Sequence, residues 1–290
     1  MRDAPESSDH DEPIIPTSPN IWQTKTDASP EAVEDELETM LSDIHDSADD
    51  TPTKKMTPVE LFDALCTIYP TECSKTSWSD DIPLDTRYLY QWLMIALLQK
   101  IDTSLQATPS LAEMLEHIAF YIDDKDKRWG AGHTRIRINI ANIESKQEYR
   151  EVLTHELGHI IDLAVLQGDA RRKNDIFTEF GRVIRSEDDP SLPFYRLSWL
   201  NETTRKANAS YLDFVSGYAL KNIYEDFAET KNLWFNHKDL FRALAQTNDI
   251  LMQKYLFFQQ LYDDRYFSDD TKMLKNRSTK TRVWDTTRIE

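Results

Sequence analysis

Along the first 55 positions, large apolar residues are sparse. Ile14, Ile15, Ile21, Trp22, Met40, Leu41 and Ile44 stand alone among Asp, Glu, Ser, Thr and Pro. Such a stretch buries too little surface to offset its ordering entropy, so 1–55 is expected to be a disordered arm with one short helix from Pro30 to Ile44. Patterning begins at Thr57-Pro58-Val59-Glu60, an N-cap, a proline at the first helical position and a glutamate three after the cap. This first helix is expected to run to Tyr69 and stop at Pro70. A second covers Leu84 to Ile101, with Tyr88, Trp92, Ile95 and Leu98 recurring on one face. A third follows Thr108-Pro109 and carries Leu111, Met114 and Leu115.

The period then changes. Ile118–Ile122 is short and β-prone, and Asp123–His133, with Gly130 and Gly132, reads as a loop that ends in a plain loop histidine, His133. Thr134–Ile140 alternates, which predicts an edge strand with Ile136, Ile138 and Ile140 on one face and Arg135, Arg137 and Asn139 outward. Ser145, with Glu148 three residues on, opens a helix that ends around Gly168. More helix is expected from Asn174 to Ile184, and Asp188–Pro193 breaks it. The mixed stretch from Phe194 to Asn208 predicts no element. Helices are expected again over Asn232–Thr247 and Asp249–Tyr262. The tail from Asp263 to Glu290 is polar, with Val283-Trp284 as its one strong apolar anchor, and part of it is expected to be disordered.

Charge sharpens this division. The chain of 290 residues carries a formal net charge of -17 and 40% hydrophobic residues. The arm holds the larger share of the acidic excess, and the remainder is only mildly acidic. An acidic chain disfavours nucleic acid and anionic membrane as partners. No apolar run approaches the ~18 residues needed to span a bilayer. The opening Met-Arg-Asp-Ala-Pro-Glu-Ser-Ser lacks the apolar core of a signal peptide. The cysteines are Cys66 and Cys73, a spacing that fits no zinc finger. They are either a small disulfide loop or unrelated thiols.

Chemistry concentrates in Thr154-His155-Glu156-Leu157-Gly158-His159, which reads H-E-x-x-H. At about 3.6 residues per turn, His155 and His159 share a helix face and can reach one zinc ion. Glu156, rotated off that line, can lie beside a zinc-held water and take its proton. Asp162 shares the histidine face and is placed to orient a ligand. Zinc needs a third protein ligand. The H-E-x-x-H-x-x-G-x-x-H solution fails, because positions 162 and 165 hold Asp162 and Val165. A glutamate on a later helix is the other common solution, and Glu225 and Glu229 lie one turn apart after a potential cap, Asn222. Glu-Asp-x-x-Glu also reads as a solvated acidic face.

The combination H-E-x-G-H-x-x-D (155–162), S-x-Y-x-x-x-N-x-x-E (216–225) and F-A-E (227–229) resembles the catalytic part of the anthrax lethal factor family of gluzincin metallopeptidases. The bacterial Pro-Pro endopeptidases are similar. The resemblance covers about 118–235 and not the arm or the last 55 residues. It implies His155, His159 and Glu225 as zinc ligands, Glu156 as the base, Tyr218 as donor to the oxyanion, and Glu229 as a support behind the ligands. Asp226 departs from it, since an aromatic residue is common there. The family is largely exported, which favours secretion or the cell surface, with the cytoplasm as the alternative.

The expectation is therefore a mainly helical α+β zincin-type metallopeptidase domain over 56–268, with a small sheet and a metal-site helix. It divides into an N-terminal lobe with the edge strand, 56–144, and a helical catalytic lobe, 145–268. The disordered acidic arm precedes it and a polar tail, 269–290, follows. The expected function is a zinc-dependent endopeptidase, a monomer acting on protein or peptide. The alternatives are a non-catalytic zinc-containing scaffold and a toxin-like protease acting in a target cell.

Overall fold

The computed structural model describes residues 57–107, 110–125, 130–132, 134–169, 171, 173–179, 183–262 and 282–289. The acidic arm with its expected helix, His133, and the tail from 263 to 281 lie outside the described residues.

The Thr57 hydroxyl accepts from the Glu60 N–H at 3.3 Å, and the Thr57 N–H donates to Glu60 Oε2 at 2.8 Å. This reciprocal cap opens α1 (Pro58–Ile68), which stops at Tyr69 where Pro70 begins a short α2 (Pro70–Ser74). A Cys66–Cys73 disulfide joins the two. Strand β1 (Thr76–Trp78) leads into the long α3 (Leu84–Ser104), whose buried face includes Tyr88, Trp92, Ile95 and Leu98. Helix α4 (Leu111–Leu115) starts from a second reciprocal cap between Ser110 and Glu113.

Strands β2 (Ala119–Asp123), β3 (Gly130–Gly132) and β4 (Arg135–Asn139) complete a sheet of order β1-β2-β4-β3. β1, β2 and β4 are parallel, and β3 folds back antiparallel on β4. Three sequence expectations change here: the stretch 123–133 read as a loop contains β3. β4 is not an edge, because β3 covers its free side. Its alternation also stops at Asn139, which is buried and accepts the Ala141 N–H at 2.9 Å to start a 3₁₀ turn.

Helix α5 (Lys146–Ile160) packs against β3, β4 and α3, and runs on through a π-helical turn, Ile161–Val165. Its cap is Ser145, which accepts the Glu148 N–H at 3.0 Å. The helix expected over 174–184 is instead an antiparallel pair, β5 (Lys173–Glu179) and β6 (Val183–Ser186). The β-branched and aromatic residues Ile176, Phe177, Thr178, Val183 and Ile184 flank Gly181 in sequence, a hairpin signal that outweighs the helical reading. Helix α6 (Leu192–Ser198) starts inside the expected break, with proline in its first turn, and runs into the stretch left unplaced, burying Phe194 and Tyr195.

Helices α7 (Ile223–Asn236), α8 (Lys238–Ala245) and α9 (Asp249–Leu261) close the second half. The single helix expected over 232–247 is broken at His237, whose backbone leaves the helical region. Its Nε2 lies 2.8 Å from the buried Glu151 carboxylate of α5. Together with Gln147 Nε2 at 2.9 Å, His237 partners a carboxylate whose burial unpaired would cost several kcal/mol. Phe227, Trp234, Phe258 and Tyr262 stack into the core behind α7 with ring centroids 5.1–6.4 Å apart. The C-terminal Arg282–Ile289 returns to this lobe. Its anchors are the buried Thr286, Thr287 and Ile289; of the expected anchor pair, Val283 packs partly buried against the core, while Trp284 is 68% exposed. The result is a mainly helical α+β fold with a small sheet. Among the described residues, no helix is long and apolar enough to cross a membrane.

Candidate metal centre

Two helices bring the site together, and their closeness depends on one residue inside H-E-x-x-H. A Cβ on Gly158 would lie 2.9 Å from the Cα of Ala228 on α7. Glycine lets the backbones approach, and the side chains one turn away then meet across the gap. Lys231, fully buried on α7, adds a tie by donating from Nζ to the Thr154 carbonyl at 2.8 Å. Burial pushes the Lys231 amine well below its usual pKa.

His155 and His159 project from one face of α5, their ring centroids 5.0 Å apart. Across from them, Asn222 caps α7 by accepting the N–H groups of Tyr224 and Glu225 at 3.0 and 2.9 Å. That cap sets Glu225 at the third helical position, where the positive end of the helix favours a carboxylate. Glu225 Oε2 lies 3.3 Å from His155 Nε2 and 3.5 Å from His159 Nε2. It has no ordinary hydrogen-bond partner although it is buried. His155, His159 and Glu225 form a group that could hold a metal ion, their ligand atoms all within 4.8 Å of one another.

Electrostatics favour positive charge at this point. Burial alone would raise the Glu225 pKa, but the close imidazoles of His155 and His159 hold it well below the carboxylate range. Burial alone would lower the His155 pKa, yet Glu225 and Glu229 raise it well above the usual value. The carboxylates that draw a proton onto His155 suit a cation equally. Glu229 is fully buried behind the pair, and its Oε1 is 2.9 Å from His155 Nδ1. That contact is an ion pair whose angle falls short of a good hydrogen bond. Glu229 Oε2 accepts from Ser216 Oγ at 2.5 Å and from the Thr286 N–H at 2.9 Å.

No protein-family model, curated protein or solved structure matches the chain. The site therefore rests on its own geometry. Glu156 is 4% exposed, and its Oε2 has no hydrogen-bond partner. Burial pushes its carboxyl up, against His155 and His159, with Glu225 and Asp285 adding to the rise. Tyr218 opens a 3₁₀ turn, its ring centroid 6.0 Å from that of His155. Burial, the charges of Glu225, Asp285 and Glu156, and a hydrogen bond to Glu225 keep the proton on its hydroxyl. Lys221 Nζ stands 3.4 Å from the centre of the ring.

The structure thus brings together His155, His159, Glu225, Glu156 and Tyr218. Asp162, expected beside the ligands, is buried and takes the hydroxyl of Tyr195. Asp226, the departure from the family pattern, points into the core. It accepts from Lys254 Nζ at 2.7 and 2.8 Å and from Trp199 Nε1 at 2.9 Å. An aromatic side chain would fill that place with apolar surface; here a buried ion pair fills it. Sequence reasoning missed Lys254, Lys231 and the Arg282–Ile289 segment. Lys231 and Lys254 lie within helices legible in the sequence, but nothing in the helical period marks a buried amine.

Proposed function

We propose that the chain is a zinc-dependent endopeptidase with a zincin-type fold and the gluzincin ligand set His155, His159 and Glu225. The observation that carries this reading is the convergence of those ligands with Glu156 and Tyr218 beside them. Ligand atoms about 2.0–2.1 Å from one tetrahedral ion are spaced about 3.3–3.4 Å apart. The spacings of 3.3 and 3.5 Å from Glu225 to the two imidazoles fit that ion. When bound, zinc polarises the scissile carbonyl and lowers the pKa of water held at the site. The Glu156 carboxylate accepts the proton of the attacking water and returns it to the leaving amine. Tyr218, whose hydroxyl keeps its proton, donates to the carbonyl oxygen as negative charge develops there. The edge strand of the sheet nearest α5 is β3, where an extended peptide substrate can pair through its main chain. The Cys66–Cys73 disulfide supports an oxidising, exported setting.

The test begins with purified chain, which should hold about one zinc per molecule and cleave members of a peptide library. Glu225→Ala should lose most of the metal. Glu156→Gln should keep it while turnover falls about 10²–10⁴-fold, and Tyr218→Phe should keep it with a loss of about 10². Full zinc retention by Glu225→Ala would refute the ligand assignment. Wild-type turnover in both catalytic variants would refute the roles of Glu156 and Tyr218. A zinc-loaded chain that cuts no peptide would favour the scaffold alternative.

A further inference from the structure

The Arg282–Ile289 segment, far in sequence from both motifs, touches each half of the site. Its Val283 carbonyl accepts the Gly217 N–H at 2.9 Å, and its Trp284 carbonyl accepts the Tyr218 N–H at 2.7 Å. One residue on, Asp285 caps a 3₁₀ turn, Thr286–Arg288, by accepting the Thr287 N–H at 2.8 Å. That cap aims the Thr286 N–H inward, where it donates to Glu229 Oε2 at 2.9 Å inside a fully buried environment. The Thr286 hydroxyl accepts from Asn232 Nδ2 at 3.0 Å and donates to the Glu229 main-chain carbonyl at 3.4 Å, and makes no bond to the Glu229 carboxylate.

We propose that Arg282–Ile289 is a positioning element of the metal centre: the Thr286 main-chain N–H holds Glu229 against His155 Nδ1, while the Val283 and Trp284 carbonyls hold the turn that carries Tyr218. This rests on the zinc reading above. Glu229 Oε2 has two donors, Ser216 Oγ and the Thr286 N–H, and a buried carboxylate that loses one is freer to turn. A looser Glu229 orients the His155 ring less well, and partners of this kind are worth about 10–100-fold in metal affinity. The same segment fixes the backbone of Tyr218, so one docking event sets both a ligand and the oxyanion donor.

Proline at 286 isolates the N–H. Thr286 is the first residue of its turn, where proline's fixed φ is accommodated, and Asp285 before it is extended (φ -144, ψ 130), as a residue preceding proline prefers. In the full chain, Thr286→Pro is expected to weaken zinc binding about 10–100-fold, read by competition with a chromophoric chelator. Thr286→Val keeps the N–H, loses the hydroxyl and is expected to bind zinc nearly as wild type does. Circular dichroism confirms the fold of each. Should Thr286→Pro fail to fold, Asp285→Ala and Asp285→Asn replace it. Both remove the charge but only asparagine still caps, so zinc affinity falls in the first and is rescued relative to it in the second.

Wild-type zinc affinity in a folded Thr286→Pro overturns the proposal, as does an equal loss in Thr286→Val or equal losses in the two Asp285 variants. In each of these outcomes the zinc reading survives. A wild-type chain that binds no zinc removes that reading and the proposal together.

Discussion

Gly158→Ala tests whether the metal site depends on the closeness of α5 and α7. The added Cβ would stand 2.9 Å from Ala228 Cα and 3.2 Å from Ala228 Cβ, where ordinary contact begins at 3.4 Å. The obstacle is backbone, so the helices must separate by roughly half an ångström. Overpacking of this kind costs about 1–3 kcal/mol, and alanine recovers about 1 kcal/mol through its better helix propensity. The net cost is about 0–2 kcal/mol, a fall in Tm of at most about 8 °C for a domain of this size. The metal site suffers more. Glu225 lies one turn before Ala228, and ligand distances tolerate only about ±0.2 Å, so zinc affinity should fall at least about tenfold. Thermal unfolding with and without zinc reads both quantities. A tenfold loss of affinity removes about 1.4 kcal/mol from the stabilisation that zinc confers. Gly130→Ala is the control, because nothing lies within 4 Å of its added Cβ. Wild-type zinc-dependent stabilisation in Gly158→Ala would refute the claim that this contact sets the site.

Lys254→Met leaves the fully buried Asp226 carboxylate without its cation, and urea unfolding should show a loss of about 3–5 kcal/mol. Adding Asp226→Leu should recover most of that loss, and failure of the double variant to recover would deny that the pair acts as a unit. The Cys66→Ser/Cys73→Ser double variant should lose about 2–3 kcal/mol, the loop-closure entropy for so short a loop; unchanged stability would mean that α1 and α2 hold the loop without the bond.

Elements whose signals are local were legible in the sequence. The Thr57 and Asn222 caps, the buried stripe of α3 and the H-E-x-x-H face of α5 follow from periods of about 3.6 and from side chains that bond a few residues away. The β5–β6 pair was misread because Ile176, Phe177, Val183 and Ile184 suit either a short helix or a hairpin, and cross-strand pairing decides between them. The break at His237 was hidden for a similar reason. The partner of His237 there is Glu151, on another helix.

The sequence by itself determined that two imidazoles share one helix face with Glu156 rotated off it, and that Glu225 and Glu229 lie one turn apart on another helix. Their spacing left open which of the two glutamates would meet the imidazole Nε2 atoms, and only the resemblance to a known family pointed to Glu225. Only the tertiary structure decided that Glu225 faces both and Glu229 backs His155 at Nδ1, because the choice depends on how α7 is rotated against α5 at the Gly158–Ala228 contact. It alone also placed Thr286 behind Glu229. Periodicity records the face of an element and carries no information on which distant backbone N–H that face will meet; that is set by the path of the chain through space.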